Sequence, residues 1–435
     1  MLFFKAEVVM GVDPYRAKYA YGEDYGTRFF KYGILKEGKP RVTTSSGLFL
    51  EESFLLKHFG VEKKLVVGDE VSKYAASVSS LARNLVFPLS DGEVKRDDER
   101  AWTVIRELTR KGFDDFKGHT GGDFDGFYVT AAVSAIAPDY MYERLLKIHA
   151  EIDEKTRLVK AFTIIPQPLA VAIAEQETSC LVIESGHGNT QVTPIRMYPI
   201  RDAIVALYRG GAEADAIAAE VLKDLGYGDL VSDEYAIRKF KEDAGLVPID
   251  LDEAIKRARE EPGKLRTKVK LSALVEVDFE EKGWLRYLIG EVIFNPMHEV
   301  FDSYRKRGVL NIRDARLGDE VIEGTLPLED AIMRSTRKLR ISIQNEVLSK
   351  VILSGGNFNW KVPENLKGIA VDSPTKVKFL LDKKLRGEVN ISVRLARDPQ
   401  FSVWKGCVTW SFALPEDYRW SWERREGWFK RGADY

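Results

Sequence analysis

The pattern of apolar and polar positions changes sharply around residue 184. Residues 181–183, Leu-Val-Ile, are an apolar run that predicts a buried strand. The glycines that follow predict a tight turn, and the alternating stretch after them predicts a returning strand. The tip of this hairpin, Gly186-His187-Gly188, is nearly all backbone. Because glycine lets the chain curl and approach closely, the pattern predicts a tip that could point N–H groups at an anion.

The same pattern occurs once more near the start of the chain. Residues 21–33 contain a strand-like stretch, the sequence Asp24-x-Gly26, and a second strand-like stretch. Asp24 and Gly26 match Glu184 and Gly186, about 160 residues further on. One acid-x-glycine sequence is common in ordinary turns and carries little weight by itself. Two of them after strands predict a duplicated domain, with one loop contributed by each half.

Two glycine pairs mark the second half of the chain. Residues 355–356, Gly-Gly, follow an amphipathic segment (330–348) and a buried strand (351–353). Residues 210–211, also Gly-Gly, come directly before the helix-like stretch 212–225. Each pair could let the backbone approach a ligand. The alternative is a plain turn for residues 355–356 and a plain helix cap for residues 210–211.

Composition and charge narrow the class of protein. With 435 residues the chain is too long for one compact core, so we expect roughly two to four domains or subdomains. Hydrophobic residues make up 44%, which argues against long disordered stretches. The balance of 66 basic against 67 acidic residues argues against a protein whose whole surface binds nucleic acid.

The chain has features typical of a cytoplasmic protein. Its two cysteines, Cys180 and Cys407, are too few for a disulfide framework or a zinc site, which suits a reducing compartment. No apolar run approaches the roughly 18 residues needed to span a bilayer, so we expect no membrane insertion. The first five residues lack the basic-then-apolar order of a secretory leader.

Several longer stretches resemble the actin family. Residues 67–70 (Val-Gly-Asp-Glu), 87–92 (Phe-Pro-Leu-Ser-Asp-Gly) and 97–102 (Asp-Asp-Glu-Arg-Ala-Trp) follow one another as similar stretches do in actin. Residues 353–356 and 402–406 resemble the Leu-Ser-Gly-Gly and Ser-Val-Trp-Ile-Gly-Gly stretches of actin. The resemblance runs from about residue 21 to residue 413. Within the family, the chain is most similar to the actin homologues of crenarchaea, in residues 162–174, 186–189 and 208–212.

The resemblance implies an actin-like ATPase fold, which is an α/β fold with duplicated ribonuclease H-like domains and two lobes around a nucleotide cleft. It implies ATP or ADP and Mg²⁺ as cofactors, ATP hydrolysis, and polymerisation of the chain with itself into cytoskeletal filaments, with accessory cytoskeletal proteins as further partners. The implied parts are a first large subdomain (1–42, 82–174 and 392–435), a small outer subdomain (43–81), a second large subdomain (175–210 and 325–391) and a second small subdomain (211–324).

Two acids, Asp24 and Glu184, match the family positions that orient the water shell of Mg²⁺. Acids and phosphates repel each other, so a cation has to stand between them. Actin has Asp where this chain has Glu184, and the extra methylene moves the carboxylate by on the order of 1.5 Å, so direct ligation is open. Lys31 matches the lysine that neutralises the β- and γ-phosphates. The alternatives are turn-capping acids and a solvent-facing lysine.

For hydrolysis, a water has to be lined up with the γ-phosphate. Gln167, between two prolines, matches the water-positioning glutamine of the family. His187 stands where actin has a second aspartate, and Gln191 where actin has a histidine. We therefore expect His187 to hold the attacking water or to sense the γ-phosphate, with a structural histidine as the alternative. The resemblance also gives nucleotide contacts to Gly26, Thr27, Arg28, Gly186, His187, Gly188, Asn189, Gly210 and Gly211.

The base and the ribose have their own expected contacts. Lys241 and Glu242 match a Lys-Glu pair that covers the adenine and binds ribose hydroxyls, although the stretch also fits the solvated face of a charged helix. On the other side of the nucleotide the resemblance places a glycine pair, an amide and an aromatic ring that replaces a tyrosine: Gly355, Gly356, Asn357 and Trp360.

Three stretches have no assigned role. Residues 41–65 are strongly apolar and would be a contact patch if exposed or a small core if buried, through Leu48, Phe49, Leu50, Phe54, Leu55 and Leu56. Residues 297–326 are longer than the actin counterpart, and we expect them to alter lateral contacts between subunits. The aromatic, basic tail from Trp420 to Tyr435 is either a partner site or a segment that packs down.

Other functions of the same superfold fit less well. A metabolic kinase would need a base for a sugar hydroxyl, and the sequence offers no clear candidate. A chaperone ATPase would need a substrate-binding domain after the nucleotide fold, but only about thirty residues follow Trp404. The serious alternative is an actin-related protein that binds ATP and acts as a monomer within a complex.

Overall fold

The structure is a computed structural model that describes residues 13–50, 64–75, 84–310, 312–387 and 389–432. The expectations about the first five residues and about Phe54, Leu55 and Leu56 fall outside these residues. Its strands are β1 Ala20–Tyr25, β2 Phe29–Ile34, β3 Arg41–Thr44, β4 Gly47–Phe49, β5 Leu65–Val67, β6 Leu85–Val86, β7 Phe127–Val133, β8 Val159–Pro166, β9 Ser179–Ser185, β10 Thr190–Arg196, β11 Tyr198–Pro199, β12 Val205–Leu207, β13 Lys268–Lys270, β14 Glu276–Asp278, β15 Ala315–Leu317, β16 Glu320–Ile322, β17 Val351–Ser354, β18 Val393–Leu395 and β19 Phe429–Lys430.

The helices cover both long amphipathic stretches and short connections. They are α1 Pro14–Tyr19, α2 Val71–Ala75, α3 Glu99–Asp114, α4 Asp139–Thr156, α5 Gln167–Glu175, α6 Gly211–Asp224, α7 Glu234–Ala244, α8 Leu251–Glu260, α9 Leu285–Glu291, α10 Asp302–Lys306, α11 Leu328–Arg337, α12 Ile341–Leu348, α13 Ser373–Leu385 and α14 Ser402–Ala413. In the part of the chain that is described, none of them combines the length and the apolarity that crossing a membrane requires.

The chain divides into two compact units, one of Met1–Gln176 with Phe401–Tyr435 and one of Glu177–Gln400. In the first unit, six strands form one sheet in the order β19-β8-β7-β1-β2-β3. Strands β1, β7 and β8 are parallel to one another. Strand β2 is antiparallel to both β1 and β3, and β19 is antiparallel to β8. All six residues of β1 are buried, as is typical of a strand that is covered on both faces.

Helices cover the sheet of the first unit. The apolar residues of α3 and α4, such as Trp102, Leu108 and Leu145, join the main core with β1 and β7. Trp404 and Val408 of α14 pack on Ala20 of β1. Helices α14 and α5 approach so closely that a Cβ on Gly406 would lie 1.8 Å from the carbonyl oxygen of Ala170.

The second unit repeats this sheet. Its main strands have the order β11-β10-β9-β17-β18, with β12 also paired to β10. Strand β9 is antiparallel to β10 and parallel to β17, which is parallel to β18. The central strand with its antiparallel hairpin partner on one side and two parallel strands on the other is therefore common to both units. The structure is an α/β protein built from mixed sheets.

One predicted boundary is wrong. Residues 392–400 were expected in the first large subdomain, but β18 extends the sheet of the second unit through its parallel pairing with β17. The unit to which this short strand belongs is set by its pairing with β17 in the sheet. Its position along the chain, close to the residues that return to the first unit, is misleading.

Of the three stretches without an assigned role, the first and the third have a structural part. In residues 41–65, Leu48 and Leu50 are buried with Val66 and Val71 in a small core, so their described part is a core and not a patch. The described part of the tail, residues 420–432, also packs down, because Phe429 of β19 pairs with Phe162 of β8 and its ring stacks on that of Trp420 with centroids 4.3 Å apart.

Candidate functional site

The first predicted hairpin is formed by β1 and β2. Asp24 lies directly across from Lys31 in the antiparallel register. The Lys31 ammonium is 2.6 Å from one oxygen of Asp24, and Nε2 of Gln167 donates to the other oxygen at 2.9 Å. Asp24 is buried, and a buried carboxylate needs such donors because desolvation of an unpaired charge is costly. The structure thus brings together three residues that the sequence analysis assigned to the site.

Hydrogen bonds within the turn and from Ser45 hold the tip of the first hairpin. The N–H of Gly26 donates to the carbonyl of Phe29, which closes the turn. Between β3 and β4, the N–H of Ser45 donates to the carbonyl of Arg28, and its hydroxyl donates to the carbonyl of Gly26 at 2.7 Å. Thr27 is half-buried at the tip. The carbonyls of Gly26 and Arg28 therefore accept hydrogen bonds from within the protein.

The second predicted hairpin is formed by β9 and β10 and has the same register. Glu184 lies across from Gln191, as Asp24 lies across from Lys31, and the N–H of Gly186 donates to the carbonyl of Asn189. Nε2 of Gln191 donates to Glu184 at 3.2 Å, and Gln191 is fully buried. The equivalent positions are separated by 160 residues throughout, for example residues 24 and 184 or 31 and 191.

The glycine pair at residues 210 and 211 supports this second hairpin. The N–H of Gly211 donates to the carbonyl of Gly186 at 3.0 Å, and the N–H of Ala212 donates to the carbonyl of His187 at 2.9 Å. A Cβ on Gly210 would lie 2.4 Å from the carbonyl oxygen of Gly186, so a side chain would push the two segments apart. The start of α6 therefore faces the hairpin tip, and its first N–H groups are used there.

The second glycine pair approaches the same hairpin from β17. Gly355 has φ 95° and ψ 157°, a conformation that is essentially restricted to glycine. A Cβ there would lie 2.0 Å from the carbonyl oxygen of Ser185. The amide of the neighbouring Asn357 donates to the hydroxyl of Ser185 at 3.1 Å and to the carbonyl of Gly186. Asn357 therefore holds the loop, whereas the exposed Gly356 has open space around its Cα.

The residues expected around the base lie on and beside α7. Lys241 is largely buried and its ammonium is 2.6 Å from Asp215 of α6, whereas the side chain of Glu242 is 62% exposed. The ring of Trp360 packs where α7 ends, since a Cβ on Gly245 would lie 2.4 Å from it. Lys241 and Trp360 thus share one end of this helix, while Glu242 faces solvent.

Sequence reasoning missed two residues that the structure connects to the second hairpin. Asp215 lies 3.8 Å from Nδ1 of His187 on one side and contacts Lys241 on the other. Its signal in the sequence is its place four residues after Gly211, because residues i and i+4 share one face of a helix. The second missed residue is Arg209. Its backbone carbonyl accepts a hydrogen bond from the hydroxyl of Thr190, and that hydroxyl is also 2.7 Å from the hydroxyl of Ser185.

Arg209 is fully buried and ties the hairpin to a distant part of its unit. Its guanidinium donates to four backbone carbonyls, those of Ile293, Phe294, Gly324 and Leu326. Two of these carbonyls come just before the 297–326 stretch, and the other two lie at its end. Burial lowers the pKa of Arg209 to about 9, which still leaves the side chain protonated at neutral pH.

The acids fit Mg²⁺ held through water. A carboxylate has about four lone-pair sites, and Asp24 uses two of them on Lys31 and Gln167. Magnesium keeps several waters in proteins and takes few carboxylates. Among the described residues, no group of three or more His, Cys, Asp or Glu side chains is arranged to bind a metal directly. The lone pairs that Asp24 has left would suit the waters of such an ion.

No protein-family model matches this sequence.

Proposed function

We propose that the chain is an actin-family ATPase of the crenactin kind, which binds ATP with Mg²⁺, hydrolyses it and polymerises with itself into cytoplasmic filaments. The observation that carries the proposal is the pair of hairpins with one register, each with an acid at the same place and glycines at the tip. The common strand order of the two sheets supports duplicated ribonuclease H-like domains. ATP, Mg²⁺, hydrolysis and polymerisation are supported by the sequence resemblance.

Phosphate binding follows from charge and backbone. The first hairpin has two cations, Arg28 at the tip and Lys31 in β2, and the ion pair of Lys31 with the buried Asp24 fixes where its charge lies. The tips, Gly26 to Arg28 and Gly186 to Asn189, would add backbone N–H groups, which bind anions well where glycine lets them converge. Mg²⁺, when bound, would neutralise part of the phosphate charge; it is the resemblance to the actin family that assigns its waters to Asp24 and Glu184.

Hydrolysis needs a water in line with the γ-phosphate. Gln167 is suited to this task because its amide nitrogen is held by Asp24 at 2.9 Å and by the carbonyl of Tyr25 at 3.4 Å. An amide held at one end presents its oxygen in a fixed direction, and such positioning contributes strongly to phosphoryl transfer. His187, half-buried at the second tip, is the partner that we assign to the water or the γ-phosphate.

The experiment that tests the proposal follows phosphate release and sedimentation together, with ATP and Mg²⁺, over a range of protein concentrations. A sharp critical concentration for sedimentation, with phosphate release rising at the same point, is the result expected for a polymer whose assembly is coupled to ATP. Polymers of this type need an interface that joins two different surfaces and does not close into a ring.

Two other outcomes are informative. Turnover that stays proportional to protein concentration, with nothing sedimenting, would favour the monomeric actin-related protein. An absence of both nucleotide binding and turnover would reject the proposal. Magnesium dependence is checked with EDTA, and Lys31→Gln serves as the variant in which ATP binding should weaken without loss of the fold.

A further inference from the structure

A carboxylate connects the two ends of the candidate nucleotide site within the second unit. One oxygen of Asp215 is 2.6 Å from the ammonium of Lys241, and the other is 3.8 Å from Nδ1 of His187. The exposed fraction of the Asp215 side chain is only 16%. His187 was assigned to the γ-phosphate end and Lys241 to the base end, on separate grounds. The sequence analysis assigned no role to Asp215, although its carboxylate lies close to both His187 and Lys241.

The local structure explains why an acid is found there. Gly211 and Asp215 lie on the same face of α6, four residues apart. Gly211 lets the ring of His187 come close, since a Cβ there would lie 3.2 Å from Nδ1. On the next turn of that face, Asp215 has one carboxylate oxygen 3.8 Å from Nδ1.

We propose that Asp215 is a positioning residue for ATP hydrolysis, which orients His187 through Nδ1 and restrains Lys241 at the same time. This inference rests on the proposed function. A separation of 3.8 Å is too long for a direct hydrogen bond, so the carboxylate acts on the ring by its charge. A negative charge beside Nδ1 favours the proton on that nitrogen and leaves Nε2 as the acceptor for a water proton. In catalytic triads an acid favours the same tautomer through a hydrogen bond to Nδ1–H, whereas here the carboxylate would do so by its charge alone.

The test is a double-mutant cycle on phosphate release. Asp215→Asn should lower kcat about tenfold, and the KM for ATP should rise because Lys241 loses its anchor. In a His187→Ala background, the same change should alter kcat less than about twofold, because an effect that passes through the imidazole disappears with it. Asp215→Glu should restore most of kcat. Independent effects of Asp215→Asn and His187→Ala on kcat would overturn the proposal.

A second measurement does not depend on turnover. The chain has five histidines, so the ring ¹⁵N signals of His187 can be assigned with a His187→Asn variant. We expect Asp215→Asn to shift the Nδ1 signal of His187. The matched control, Asp243→Asn, removes an exposed acid that pairs with Lys239 on α7 and should leave the signal unchanged.

The two measurements separate the inference from the function on which it rests. If the wild-type protein hydrolyses ATP and the His187 signal ignores Asp215, the inference fails and the proposed function stands. If the signal moves but the wild-type protein releases no phosphate from ATP, the contact is real, while the proposed function and the role of Asp215 in it both fail.

Discussion

Lys31 and Gln191 occupy the same place in two hairpins. Each lies directly across from an acid, Asp24 in one case and Glu184 in the other, and each donates to that acid, at 2.6 Å and 3.2 Å. The two places differ in charge, because one holds an ammonium and the other an amide. Phosphates are bound more strongly by a cation than by a neutral donor. The first hairpin should therefore contribute the larger share of phosphate attraction.

Lys31→Gln tests this difference. The new side chain can still donate to Asp24, as Gln191 does to Glu184, so the melting temperature should change little. The Kd for ATP should rise by at least about tenfold, which is about 1.4 kcal/mol. Calorimetric titration of ATP measures it, and Lys36→Gln, an exposed lysine, is the control. A Kd equal to that of the wild type would show that Lys31 does not bind phosphate.

Lys31→Met should behave differently from Lys31→Gln. It removes the only cation paired with Asp24 among the described residues, and a buried carboxylate stripped of its partner costs about 3–5 kcal/mol. We expect a clear fall in the unfolding midpoint in urea. If both variants are equally stable, the Asp24–Lys31 pair contributes nothing to the fold.

His187→Ala should lower phosphate release about a hundredfold, since misplacing the attacking water by even a short distance has an effect of that order. ATP binding should be kept, because the carbonyls of the tip remain bonded to α6. Single-turnover phosphate release measures the chemical step. An unchanged rate would make His187 a structural residue.

Gly355→Ala should destabilise the second unit, whereas Gly356→Ala should not. The first position has a conformation restricted to glycine and lies 2.0 Å, measured from an added Cβ, from the carbonyl oxygen of Ser185. Strain of this kind costs about 1–3 kcal/mol, and the clash adds to it. The second position has open space. Thermal unfolding of the two variants provides the comparison, and equal midpoints would contradict the described approach of β17 to β9.

Arg209→Met should be among the most destabilising substitutions in the second unit. It leaves the carbonyls of Ile293, Phe294, Gly324 and Leu326 without this donor, and an unsatisfied buried acceptor costs about 1–3 kcal/mol. Arg201→Met, at an exposed arginine, is the control. We expect Arg209→Met to lower the urea midpoint and to increase proteolysis around residues 297–326. Wild-type behaviour in both assays would contradict the coupling role of Arg209.

The local features of the site could be predicted from the sequence. Both hairpins, the start of a helix at the first glycine pair and the turn at the second follow from short-range rules, because glycine, alternation and apolar runs act on neighbouring residues. The pairing of Asp24 with Lys31 also follows once the turn length is known, since the turn sets the register of a hairpin. ATP, Mg²⁺, hydrolysis and polymerisation came from resemblance and stay predictions.

Contacts between segments far apart in the chain could not be predicted in this way. The pairing of β18 with β17, which corrected a domain boundary, and the placement of Asp215 between His187 and Lys241 depend on how separate elements pack. Arg209 gives the clearest case, since its acceptors lie 84 to 117 residues further along the chain. The sequence by itself determined the two hairpins, because their interactions are local. Only the tertiary structure decided what supports them, because a buried polar group takes whichever partner the packing of distant segments provides.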